Sequence, residues 1–185
     1  MRRVLLASCL LFLSAPAARA DKLVLVAGGG DGPDGTEATK AKLIQPFGVD
    51  FLGDRILIVE MAKGERLRAI GPDGKLVTLA GSEGKKGNDG DAGPGAKATF
   101  NGMHSLAVGL FDNIYLADTW NNRVRVYSPS VDRVRPFAGR YEKGFKGDGG
   151  PAADAQFDGV FCIGFDPDKK DLYITDLGNK RIRKV

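Results

Sequence analysis

An all-β chain assembled from three repeats of one four-stranded unit is what this sequence predicts, and three observations carry that expectation. The stretch N-I-Y-L-A-D-T-W-N-N-R-V-R-V-Y at 113–127 returns as D-L-Y-I-T-D-L-G-N-K-R-I-R-K-V at 171–185, and in degraded form as R-I-L-I-V-E-M-A-K-G-E-R-L-R-A-I at 55–70. Landmarks outside it keep the same interval: Asp34, Asp91 and Asp148 are 57 residues apart, as are Leu43, Phe100 and Phe157, while Glu60, Asp118 and Asp176 are 58 apart. No segment carries the three-to-four apolar spacing of an amphipathic helix over a useful length.

Taken in order, the chain opens with Arg2 and Arg3, an apolar run at 4–13 and small residues ending in Ala18-Arg19-Ala20. This reads as a secretory signal peptide over 1–20, cleaved after Ala20. The run is too short to span a bilayer as a mature anchor and no later stretch is long enough, so no membrane span is expected. Leu6-Ala7-Ser8-Cys9 resembles a lipobox, but the longer apolar segment follows it, so Cys9 is read as part of the signal and a lipid anchor as the alternative. Export to a periplasmic or extracellular location follows. Removing Arg2, Arg3 and Arg19 leaves 24 basic against 23 acidic residues, a net charge of +1. That near-neutrality speaks against nucleic acid as a partner, which would want a basic stripe. Cys162 is then the one mature cysteine, so no internal disulfide can form, and a buried thiol is expected there.

Within one unit a glycine-rich loop (81–95) leads to strands at 103–108, 114–117, 123–127 and 133–138, each about five residues of Val, Ile, Leu, Tyr or Phe. The second strand ends in an acid (Glu60, Asp118, Asp176) and the third opens with Arg-x-Arg (Arg66 and Arg68, Arg123 and Arg125, Arg181 and Arg183). Pro72-Asp73-Gly74, Asn121-Asn122 and Asp168-Lys169-Lys170 fall where hairpin turns are required. Four short antiparallel strands, repeated without helices, make the pattern of a β-propeller blade. The units run over about 28–80, 81–138 and 139–185, the last completed by a strand at 23–27 that ends in Ala-Gly as the other fourth strands do.

Three motifs resemble NHL repeats: P-F-G-V at 46–49, I-Y-L-A-D-T-W-N-N-R-V-R at 114–125 and G-D-G-G-P-A-A-D-A-Q-F at 147–157. The likeness covers nearly all of 23–185. The first unit departs from it, with Glu60 for the aspartate and one extra residue in 61–65; in the others Pro-x-Gly gives way to Met103-His104-Ser105 and Val160-Phe161-Cys162. The resemblance implies a ring of about six blades around a channel, within the four to eight usual for propellers. Twelve strands make half of such a ring. Either the chain is part of a longer protein, or two copies join head to tail as a homodimer.

Candidate sites divide by recurrence. Asp118 with Arg123 and Asp176 with Arg181 are read as ion pairs pinning hairpins, because a catalytic pair is needed once and a brace in every unit. The long loops carrying Asp34, Asp91 and Asp148, with Tyr141 and Phe145 at their tips and Trp120 in a turn, form the candidate binding face. No cofactor is expected; Ca2+ in those loops is the alternative, although each supplies only one or two acids and none has EF-hand spacing. Phe47, His104 and Phe161 stand on first strands, which line the channel in the family this chain resembles. One histidine with Asp50 nearby does not make a zinc site, so no metal or catalytic residue is assigned. The function expected is a non-catalytic binding module for a protein, peptide or glycan. The alternative is a metal-dependent hydrolase or lyase of the gluconolactonase or amidating-lyase kind, completed by blades outside this sequence.

Overall fold

The computed structural model describes residues 21–185, so the expected signal peptide at 1–20 lies outside the described residues. Eleven strands among them form three antiparallel sheets in which sequence neighbours pair. The first sheet holds β1 (Pro46–Leu52), β2 (Arg55–Glu60), β3 (Arg66–Ile70) and β4 (Leu76–Gly81). The second holds β5 (Met103–Val108), β6 (Ile114–Asp118), β7 (Arg123–Ser128) and β8 (Arg133–Ala138). The third holds β9 (Val160–Phe165), β10 (Leu172–Asp176) and β11 (Arg181–Lys184). Helical structure is confined to single 3-10 turns such as Ala38–Lys40 and Thr119–Asn121.

Alternation along the strands explains how the sheets stack. Leu57 and Val59 on β2 and Leu67 and Ala69 on β3 leave one face of the first sheet and meet Leu106 and Val108 of β5 and Ile114 and Leu116 of β6 from the second. The same positions one repeat later, Ala117 and Val124, meet Val160, Ile163, Leu172 and Ile174 of the third sheet. Two of the three apolar clusters therefore lie between units, while the third packs Ile58, Ile70 and Leu76 of the first sheet on Ala38 and Ala41 of the loop before it. First strands are innermost, β1 packing on β5 and β5 on β9. Gly48 permits that approach, since a Cβ there would come within 3.1 Å of the His104 carbonyl oxygen and of Ser105 Cα. Asp50 Oδ2 accepts from the Val108 amide at 2.7 Å across the same seam.

Two expectations fail. Residues 23–27 form no strand, and the third sheet stops at three strands instead of four. Their intended partner, β11, lies two sheets along the stack, out of reach of a segment leading into the first. Cys162 is exposed rather than buried. Its repeat-mates Gly48 and Ser105 face the next sheet along, and on the third sheet that face is open among the described residues.

Candidate functional site

Because the first strands converge, the second residue of each reaches the same place. The Phe47 ring centroid stands 4.6 Å from His104 and 6.0 Å from Phe161, and His104 stands 4.3 Å from Phe161. Trp120, from the turn between β6 and β7, adds its edge 5.5 Å from His104. Phe47 is 53% and Trp120 45% exposed, whereas His104 is buried beneath them. The result is an aromatic collar open on its outer side.

Backbone geometry fixes the collar. Gly102 precedes β5 with φ of +67°, and a Cβ there would lie 2.2 Å from Trp120 Cε3, so the indole rests directly on the glycine. The Trp120 amide donates to the Asn101 carbonyl at 3.1 Å. His104 Nδ1 lies 2.7 Å from the Gly102 carbonyl oxygen and 3.0 Å from Thr119 Oγ1. A carbonyl can only accept, so Nδ1 carries the hydrogen and Nε2 keeps a lone pair. Burial lowers the His104 pKa and favours that neutral ring, with the Gly102 carbonyl opposing. Lys86 Nζ lies 5.6 Å from the Trp120 ring centre, a cation at the rim.

Sequence reasoning missed Glu65. Its buried carboxylate accepts from the Gly102 amide at 2.8 Å; burial above all raises its pKa, that hydrogen bond opposes the rise, and the Asp118 charge adds to it. Asn122 does the same one repeat on, its Oδ1 accepting from the Gly159 amide at 2.9 Å. Each is a turn residue with positive φ reaching to the neighbouring unit. The extra residue in 61–65 was the only hint in the sequence.

The loop aspartates are engaged elsewhere. Asp34 accepts from Arg68 at 2.7 Å, Asp91 from Arg123 at 2.7 Å and Arg125 at 2.9 Å, and Asp148 from Arg183 at 2.8 Å. The guanidinium carbons of Arg125 and Arg183 sit 4.8 Å and 4.5 Å from the ring centres of Phe100 and Phe157. These aspartates brace the outer strands and do not join the collar.

Asp118 and Asp176 hold backbone first, accepting from the Asn101 and Asp158 amides, each at 2.8 Å, and from Asn121 and Asn179 at 2.9 Å. Arg123 and Arg125 stand 3.7 Å from Asp118. Burial pushes the Asp118 pKa up to about 6 despite them. The expected Asp176–Arg181 pair is replaced by Arg183, 3.6 Å from Asp176. Arg181, at the mouth of the turn, extends over Phe145 at 5.1 Å instead. Tyr141 and Phe145 are exposed beside these turns, and the Tyr141 carbonyl accepts from Asn122 at 3.1 Å. Among the described residues no three His, Cys, Asp or Glu side chains group as metal ligands would.

The fold thus defines an all-β protein of stacked antiparallel sheets, two of four strands and one of three, with an aromatic collar on their innermost strands. No family model matches the chain, and no curated protein matches it. Solved structures do. An auxiliary nutrient binding protein from Bacteroides ovatus aligns at 26% identity and a TM-score of 0.56 over 71% of this chain and 34% of its own. One of the same description from Bacteroides thetaiotaomicron aligns at 22% and 0.56 over 74% and 36%. A protein of unknown function from Bacteroides thetaiotaomicron aligns at 20% and 0.60 over 70% and 32%. The chain spans about a third of the length of each.

Proposed function

We propose that the three units are NHL-type propeller blades of an exported, non-catalytic binding module, and that the collar of Phe47, Trp120 and Phe161 over His104 is where its ligand sits. The observation that carries this reading is the exposure of Phe47 and Trp120 around a buried neutral histidine. Rings offer flat apolar faces to a sugar or a peptide side chain, and Nε2 offers one acceptor to a hydroxyl or amide donor. The binding role in the printed name of the 26% identical Bacteroides ovatus structure supports it. His104 Nδ1 carries its hydrogen toward the Gly102 carbonyl and so cannot take a proton from the Thr119 hydroxyl beside it, which itself donates to the Ala117 carbonyl; this suits an anchoring role better than proton transfer.

Trp120 is the only tryptophan in the chain, so its fluorescence reports on the collar directly. Titration with a panel of soluble oligosaccharides and short peptides should give saturable quenching or a shift with at least one probe. Phe47→Ala should then weaken that binding by roughly tenfold, about 1.5 kcal/mol of ring contact, with unchanged circular dichroism. Chemical turnover of a bound probe, or binding indifferent to Phe47, would sink the reading.

A further inference from the structure

The two outer faces of the stack are the two halves of a seam the molecule already contains twice. On the first sheet Val49 and Phe51 are both 61% exposed, although their repeat-mates Leu106 and Val108 are buried against the sheet before them. On the third sheet Ile182 is 67% exposed, although its repeat-mates Leu67 and Val124 are fully buried against the sheet after them. Tyr173 stands beside Ile182 in the same condition.

Residues 23–27 lead into the first of these faces, Val26 and Ala27 lying beside Val49 and Phe51. Aligned on Ala-Gly, Leu23 falls where Leu76 and Val134 stand in β4 and β8, both fully buried, yet Leu23 is wholly exposed. Gly28, Gly81 and Gly139, which follow, share positive φ of 80°, 83° and 89°. Gly28 and Gly139 donate to the Ala38 and Ala152 carbonyls, each at 2.9 Å, so the joint between a fourth strand and the next unit is already set at Gly28. In both complete sheets the loop ahead of the unit pairs with the outer strand. Leu76 accepts from Gly35 and donates to Thr36; Val134 accepts from Ala92 and donates to Gly93. The counterparts in the third unit are Gly149 and Gly150, exposed beside β11 along a groove walled by Asp148, Phe157 and Ile182.

We propose that a second copy of this chain docks head to tail on the third sheet. Its residues 23–27 become the fourth strand on β11, with Leu23 opposite Val185 and Ala27 opposite Ile182, and its Val49 and Phe51 cover Tyr173 and Ile182. The register is the one by which Leu67 faces Ala80 and Val124 faces Ala138. One chain cannot make this contact with itself, because a ring of three units falls below the roughly four that propellers need. A heterologous contact between identical copies closes or runs on as a filament. Two copies give six units, within the usual range, so the pair closes and both seams form. This docking is independent of what the collar binds.

The full chain, purified after expression from Met1, is measured by light scattering against its own mass from mass spectrometry. A dimer is expected, and Leu23→Asp should raise its dissociation constant at least tenfold; Leu23 makes no contact that the single chain's fold needs. A monomer at about 100 μM, a ladder of higher oligomers, or a dimer indifferent to Leu23→Asp would overturn the proposal. Register is tested in a Cys162→Ser background by mixing Ala27→Cys protein with Ile182→Cys protein under oxidation. A crosslinked pair should form in the mixture and in neither protein alone; crosslinking of either alone would place the copies face to face instead.

Discussion

A carboxylate in this molecule earns its position by what it leaves uncovered if removed. Asp91 holds two guanidinium groups, one of them the fully buried Arg125, so Asp91→Ala strands a buried cation. It should cost about 3 kcal/mol in urea unfolding, and Asp148→Ala, whose arginines have an exposed partner, under about 1 kcal/mol. Because both Asp91 oxygens are committed to arginine, millimolar Ca2+ should leave the melting temperature unchanged; a rise would revive the metal reading of these loops. The raised carboxyls of Asp118 and Glu65 set one pH slope and the lowered His104 sets the opposing one. Asp118 is held at about 6 against 3.8 for an ordinary aspartate, so it binds its proton more tightly folded than unfolded. Its contribution is complete below pH 3.8 and is lost as pH rises through about 6. His104, lowered from 6.5, contributes above that value and loses its share as pH falls. Urea midpoints from pH 4 to 7 should therefore show a loss toward pH 6 that Asp118→Asn reduces, leaving the share of Glu65.

At the level of the strand and its turns, the collar depends on one backbone position. Gly102→Ala would drive a methyl into the indole and force a residue into positive φ, costing about 2 kcal/mol and shifting Trp120 emission. An unshifted spectrum would mean the indole does not rest on that glycine. Much of this element level was legible in the sequence, because strands here declare themselves locally: β5 to β8 run as their Val, Ile and Leu spacing and the Asn121-Asn122 turn required. The collar was half legible, since Phe47, His104 and Phe161 are 57 residues apart and share one strand position. Glu65 was not, because a turn glutamate reveals nothing about a neighbouring unit's amide until the units are stacked. Residues 23–27 read as a strand because they end in Ala-Gly as the other fourth strands do, but that match says nothing of whether one chain can bring them to the third unit. The aspartates at 34, 91 and 148 read as binding residues because long loops on a rigid scaffold usually carry binding; the arginines that claim them sit 32 to 35 residues away in sequence.

For the whole molecule, the decisive feature is that its two larger apolar cores are seams between units. A seam is shared, so the second sheet has a neighbouring sheet on both faces while the first and third have one on a single face. Each sheet's resistance to opening then depends on its place in the row and little on its own strand composition, as in other stacked repeats. In amide hydrogen exchange the slowest protons should be those of Leu116 and Ala117, on the central sheet's β6, with β1 and β11 exchanging by local fraying well before global unfolding. Uniform protection across the three sheets would contradict that order. A ligand at the proposed collar site would touch first strands from all three units, so occupancy should slow exchange at both ends of the row at once, making the outermost amides the most sensitive reporters of an event at the centre.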